Sequence, residues 1–94
     1  MIYAVTIDYG PDKSLIDAHR PPHREYLRGL VEQGILVIAG PFTDNTGGFI
    51  VYDVDSEEKV EEVIKGDPFY KNGVFKTWTI RPWRLAIANP AKMP

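Results

Sequence analysis

The stretch His19-Arg20-Pro21-Pro22-His23-Arg24-Glu25-Tyr26-Leu27 carries an imidazole on the apolar side of a helical pattern that a double proline opens. Histidine is the side chain whose unperturbed pKa lies near neutrality, so one at this position is a candidate proton carrier. A second polar anomaly, Asp67 in Gly66-Asp67-Pro68-Phe69, is its candidate partner. A carboxylate that bonds one ring nitrogen fixes the tautomer and leaves the other nitrogen free to act as general base or acid. In the first turn of a helix the dipole disfavours imidazolium while an adjacent carboxylate favours it, so the two influences expected on His23 oppose each other. Arg20 would attract an anionic group, and Pro68 and Phe69 would supply an apolar wall.

Each of these residues also has a plainer reading. A lone histidine on a helical stripe is commonly a satisfied structural side chain. Asp before Pro, after a helix-ending Gly, is ordinary turn chemistry in which Asp67 bonds its own loop backbone. Arg20, Arg24 and Arg28 recur every four residues and read as a solvated face paired with Glu25 and Glu32. His19 and His23 have the spacing of two ligands for one cation, but no third ligand is convincingly placed and the prolines interrupt the helix between them, so no metal is expected. Gly40-Pro41 reads as a strand terminator. Gly47-Gly48 is too short for a phosphate-cradling loop and no helix follows it, while Ser14 and Ser56 lack a neighbouring base. No cofactor is therefore expected.

The elements that must position the pair follow from periodicity. Ile2 to Tyr9 alternates, with Tyr3, Val5, Ile7 and Tyr9 on one face, and reads as a strand that Gly10-Pro11-Asp12 ends. From Pro21 to about Gln33, His23, Tyr26, Leu27, Leu30 and Val31 follow the amphipathic helical template, with Gly34 as the stop and His23 in the first turn. Ile35 to Ala39 is a short apolar run, which predicts a strand covered on both faces. The turn-rich Asp44-Asn45-Thr46-Gly47-Gly48 joins it to a third strand, Phe49 to Tyr52, as a hairpin. Asp55 offers an N-cap with Glu58 placed for a capping box, and Val60, Val63 and Ile64 form the apolar stripe of a second helix that Gly66 ends. Val74 to Arg81 is the last strand, closed by Pro82, and residues 84–94 form a tail without a clear pattern.

The order β-α-β-β-α-β is the ferredoxin-like plan, a four-stranded antiparallel sheet with two helices on one face. Tyr3, Val5, Phe49, Val51, Phe75 and Trp78 exceed what one covered face would absorb, so a second subunit is expected on the open face, giving a homodimer or a higher oligomer. A chain of 94 residues is one domain by length. With 44% hydrophobic and 26% charged residues it has the composition of a water-soluble globular protein, and no segment approaches a membrane span. A formal charge of −2 argues against a nucleic-acid partner, which calls for a clustered basic face. Zero cysteines exclude disulfides and thiolate chemistry. Met1 runs directly into the first strand without a basic region or cleavage site, which leads us to expect a cytoplasmic protein.

Four ordered motifs carry a resemblance. They are Arg20-Pro21-Pro22-His23-x-x-Tyr26-Leu27, then Gly34-x-Leu36-x-x-Ala39-Gly40-Pro41-Phe42, then Asp67-Pro68-Phe69-x-x-x-Gly73-Val74, and finally Ile80-x-Pro82-Trp83. Over about residues 1 to 83 the chain resembles the YCII-related (YciI-like) domain family. The resemblance implies a dimeric α+β barrel in which two sheets pack face to face, and it places the family's active-site His and Asp on His23 and Asp67, in a pocket between subunits or beside the sheet. It also implies small-molecule chemistry. One activity attributed to the family is elimination of chloride from chlorinated hydroxyquinol-type aromatics, and the fold is similar to that of muconolactone isomerases. This sequence departs from the common pattern in Pro22 directly before His23 and in its Asn-Pro-rich tail, which would reshape the pocket mouth.

Two function classes follow. The first is an enzyme performing acid/base chemistry of the lyase, isomerase or hydrolase type on a small aromatic or anionic metabolite. His23 and Asp67 would be catalytic, and Arg20, Gly40, Pro41, Pro68 and Phe69 would contact the substrate. The second is a dimeric ligand-binding or sensing module that uses the same pocket without turnover. A purely structural dimer, with His23 and Asp67 tying helix to loop, is the remaining option.

Overall fold

The computed structural model describes residues 1–93. The elements run β1 (Ile2–Tyr9), α1 (Lys13–Glu32), β2 (Leu36–Pro41), β3 (Gly47–Asp53), α2 (Glu57–Gly66), α3 (Pro68–Lys71) and β4 (Phe75–Pro82), followed by a short 3-10 turn at Pro90–Lys92. The strands form one antiparallel sheet in the order β2-β3-β1-β4. This is the expected α+β ferredoxin-like architecture. Tyr3, Val5 and Ile7 of β1, with Ile50 and Tyr52 of β3, meet Ile16 and Leu30 of α1 and Val60, Val63 and Ile64 of α2 in a single core.

The largest departure from what the sequence predicts is the start of α1. The helix begins at Lys13, not near Pro21, and both prolines lie inside it. Asp12 is its N-cap and accepts from the Leu15 N–H at 3.2 Å. An interior proline removes a helical hydrogen bond and crowds the preceding turn, at roughly 3 kcal/mol. What outweighs this is burial: Ile16, His23 and Leu30, seven residues apart, are the buried positions of α1 and keep one stripe against the sheet through the proline pair. His23 thus stands near the middle of a 20-residue helix, and the first-turn dipole argument does not apply to it. Gly34, at φ +75°, terminates the element as the sequence indicates.

Three smaller corrections have physical causes. β2 is an edge strand of which only Leu36 is buried, so it is not covered on both faces; its register shifts between Leu36 and Ile38, where Val37 bulges outward. The cap of α2 is Ser56, whose hydroxyl accepts from the Lys59 N–H at 3.2 Å; one residue later than expected, it leaves Lys59 rather than an acidic side chain at the box position. Of the six residues that suggest an apolar excess, Tyr3, Val5, Phe75 and Trp78 belong to or pack against the helix-covered core. The opposite face carries Phe49 and Val51 beside Ala4, and the exposed polar Thr6, Asp8, Thr77, Thr79 and Arg81. Among the described residues no helix is long and apolar enough to cross a membrane.

Candidate active site

Asp67 sits at a junction. It follows α2 and is the N-cap of α3, where Pro68 takes the first helical position and the Phe69 N–H donates to Asp67 Oδ1 at 2.9 Å. The turn chemistry legible in Asp67-Pro68 is therefore real, and it aims the carboxylate. The His23 ring approaches it from α1, with Nδ1 at 2.7 Å from Oδ1 and 2.9 Å from Oδ2. Asp67 is fully buried and His23 nearly so. A carboxylate only accepts, so the geometry puts the ring proton on Nδ1 and leaves Nε2 as the basic nitrogen of the neutral ring.

Two contacts fix the approach of α1 to this junction. Tyr26, one turn after His23, donates its hydroxyl to the Val63 carbonyl at 2.7 Å. Gly66 makes this possible, since a Cβ there would stand 2.6 Å from Tyr26 Oη. The His23 ring lies flat on Phe69, at 3.8 Å between centroids and 7° between planes, with Phe75 edge-on at 6.0 Å. Burial, and next the negative charge of Asp67, push the phenols of Tyr26 and Tyr52 above the ordinary tyrosine value.

Among the described residues Nε2 has no hydrogen-bond partner and no buried side-chain N or O atom is left unpartnered, so this nitrogen reaches open space. That space is a cavity of about 360 Å³ between α1 and the helix-covered face of β1, β3 and β2. Its volume suits a small single-ring molecule. Of the residues expected to touch a ligand, Arg20, Gly40, Pro41 and Phe69 line it together with His23. Pro68 does not: it starts α3, and Phe69 alone supplies that wall.

Sequence reasoning missed three polar lining residues. Arg24 and Arg28 border the cavity beside Arg20, so among the described residues three arginines and no carboxylate line it, in a chain of net charge −2. Their spacing of four was visible, but a solvated face and a cavity wall share that period. Arg20 is tethered to Asp17 at 3.5 Å and to Asn45 Oδ1 at 3.4 Å, and Arg28 to Glu25 at 3.1 Å. The third missed residue is Tyr9, which ends β1 at the cavity edge. Among the described residues no group of three or more His, Asp or Glu converges as a metal site would require.

The match to known proteins covers residues 1–84 and is to the YCII-related domain. The chain belongs to the YCII-related domain family. A curated relative, the uncharacterized protein YjpA of Bacillus subtilis (strain 168), is 37% identical over 67 residues, which are 71% of this chain and 78% of that protein. Among solved structures, 5-chloro-2-hydroxyhydroquinone dehydrochlorinase (TftG) from Burkholderia phenoliruptrix AC1100, in complex with 2,5-dihydroxybenzoquinone, superposes with a TM-score of 0.77 at 25% identity, covering 92% of this chain and 96% of that one. An antibiotic biosynthesis monooxygenase shares the fold alone, at a TM-score of 0.55 and 11% identity over 93% of this chain and all of the other. The YCII-related assignment and the ferredoxin-like sheet thus agree with the four motifs that point to them in the sequence.

Proposed function

We propose that this YCII-related protein is an enzyme that moves a proton on a small, anionic, oxygenated ring compound, with lyase-type elimination as the favoured reaction. His23 Nε2 is the general base and acid, and Asp67 orients the ring and stabilises the imidazolium that forms when the proton is taken. The observation that carries this reading is the pairing of Nδ1 with a buried carboxylate while Nε2 opens on the cavity. Arg20, Arg24 and Arg28 favour an anionic ligand, and Phe69, Ile7 and Ile50 provide apolar surface for its ring. The dehydrochlorinase with a bound quinone supports the substrate class. In an elimination, Nε2 takes a proton from the substrate, the released electron pair becomes a new double bond, and the leaving group departs with its own pair.

The test uses 5-chloro-2-hydroxyhydroquinone and related hydroxylated rings, with release of chloride or of another leaving group as the readout. His23→Gln should lower turnover by about 10²- to 10⁴-fold, the usual scale of one general acid/base. Full activity in His23→Gln would refute the assignment, and ligand binding without turnover in the wild type would favour a sensing module. We further propose a homodimer in which a second copy covers the open sheet face around the half-buried Phe49 and Ala4. Sedimentation should then give twice the 10.6 kDa chain mass.

A further inference from the structure

Tyr9 opens onto the same cavity as His23. Its ring meets Phe69 edge-on at 5.5 Å and stacks with Phe75 at 6.0 Å. His23 rests on the same two rings, at 3.8 Å and 6.0 Å, so Phe69 and Phe75 hold phenol and imidazole in a fixed relation. No described residue hydrogen-bonds the Tyr9 hydroxyl, and with no buried side-chain oxygen left unpartnered among the described residues, that hydroxyl also faces open space. Gly48 preserves its position. A Cβ there would stand 3.0 Å from Tyr9 Oη and 3.2 Å from the Gly40 carbonyl oxygen, so one of them would have to move. A core tyrosine would have its hydroxyl satisfied by the protein; this one keeps its donor free beside the proton carrier.

We propose that Tyr9 is a further catalytic residue, whose O–H donates to the substrate oxygen on which negative charge develops as His23 Nε2 removes a proton, with Gly48 keeping the hydroxyl in place. The inference rests on the reading of His23 as proton carrier. In the step, a C–H bond next to a ring carbonyl breaks and its proton passes to Nε2. The C–H pair becomes a C=C bond, and the carbonyl π pair becomes the charge of an enolate oxygen. Tyr9 keeps its own proton and stabilises that oxygen, as a pre-positioned donor does for an oxyanion. Collapse of the enolate restores the carbonyl and expels a leaving group with its electron pair. Burial and then the Asp67 charge raise the phenol above the ordinary tyrosine value, against the smaller opposing pull of Arg20 and Arg24, so the donor stays protonated at neutral pH.

Titration with 2,5-dihydroxybenzoquinone, an anionic oxygenated ring of the proposed ligand class, followed through its absorption band, tests this. The wild type should bind it and shift the band, as a hydrogen bond to a quinone oxygen does. Tyr9→Phe keeps both ring contacts, so its thermal midpoint should be unchanged. It should bind about ten- to a hundredfold more weakly, the effect of losing one hydrogen bond to a charged oxygen, and the band of the bound quinone should return towards that of the free one. A Tyr9→Phe variant that binds and shifts the band like the wild type overturns the role of Tyr9 and leaves that of His23 standing. A wild type that does not bind the quinone overturns both.

Discussion

Asp67→Asn separates the two tasks that one carboxylate performs. In the native site Asp67 accepts the His23 Nδ1–H through both oxygens, at 2.7 and 2.9 Å, and the Phe69 N–H at 2.9 Å. An asparagine can retain the helix cap through its carbonyl oxygen, but its amide must then donate to the ring. That requires Nδ1 to be the acceptor and moves the proton to Nε2. The basic nitrogen would no longer face the cavity. One hydrogen bond to a charged group is lost, about 1.5–3 kcal/mol, while the cap is kept. For a domain of this size, where each kcal/mol is roughly 4–8 °C, the melting temperature should fall by on the order of 10 °C. Turnover should fall by about 10²- to 10⁴-fold. Long-range ¹H–¹⁵N NMR of the imidazole in alkaline buffer reads the tautomer directly. The wild type should show the proton on Nδ1 and Asp67→Asn on Nε2. A wild-type ring carrying its proton on Nε2, or an Asp67→Asn ring that keeps it on Nδ1, would refute the reasoning.

Four further outcomes are expected. Gly66→Ala should displace Tyr26 and break its bond to the Val63 carbonyl, lowering stability by about 1–3 kcal/mol in denaturant unfolding; a change within about 0.5 kcal/mol would show that the close approach is slack. Asp12→Ala should lower the thermal unfolding midpoint, because the helix it caps begins there and not at the prolines; an unchanged midpoint would move the start of α1 back towards Pro21. Tyr9, Tyr26 and Tyr52 all have folded-state values raised chiefly by burial, so their contribution to stability is complete below the unfolded tyrosine value of about 10 and is lost as pH rises beyond it; alkaline unfolding monitored by phenolate absorbance should show this window. Arg24→Gln should weaken quinone binding about tenfold and flatten its salt dependence, and an unchanged salt slope would remove Arg24 from the anion site.

Legibility in the sequence followed how local each determinant is. β1 is read to the residue because its alternation needs no tertiary information, and Gly34 stops α1 because a left-handed residue after an apolar stripe is a local signal. The first two turns of α1 were lost because Pro21-Pro22 is locally a helix start. What overrides it, the burial of Ile16 in line with His23 and Leu30, is visible only against the sheet. β2 misled for the converse reason: an apolar run reads as a buried strand whether the sheet places it centrally or, as here, at an edge. His23 and Asp67 were conspicuous as polar residues in apolar settings. Arg24, Arg28 and Tyr9 were not, since a cavity wall on an amphipathic helix has the period of a solvated face and a strand-end tyrosine resembles core.

The position of His23 shows why the pair binds fold and chemistry together. The stripe Ile16, His23, Leu30 calls for an apolar side chain at its centre, and an imidazole buried there without a partner would carry the penalty of an unsatisfied polar group, about 1–3 kcal/mol. Asp67 removes that penalty, but a buried carboxylate needs its own compensation, which the Phe69 N–H at the cap of α3 supplies. Phe69, ordered by that cap, is in turn the ring on which His23 lies. The cap, the carboxylate, the imidazole and the phenyl ring form a closed cycle in which each member fixes the next. Looseness at the proline pair, where α1 lacks two N–H donors, is therefore not passed on to Nε2: the ring is held from α3, across the core, and not by its own helix alone. A replacement of Pro21 and Pro22 by alanine should accordingly stabilise α1, by up to the roughly 3 kcal/mol that an interior proline costs, while leaving the Nδ1 tautomer unchanged. Loss of the Nδ1 tautomer in that variant would show that the prolines, rather than the cycle through Asp67, set the ring.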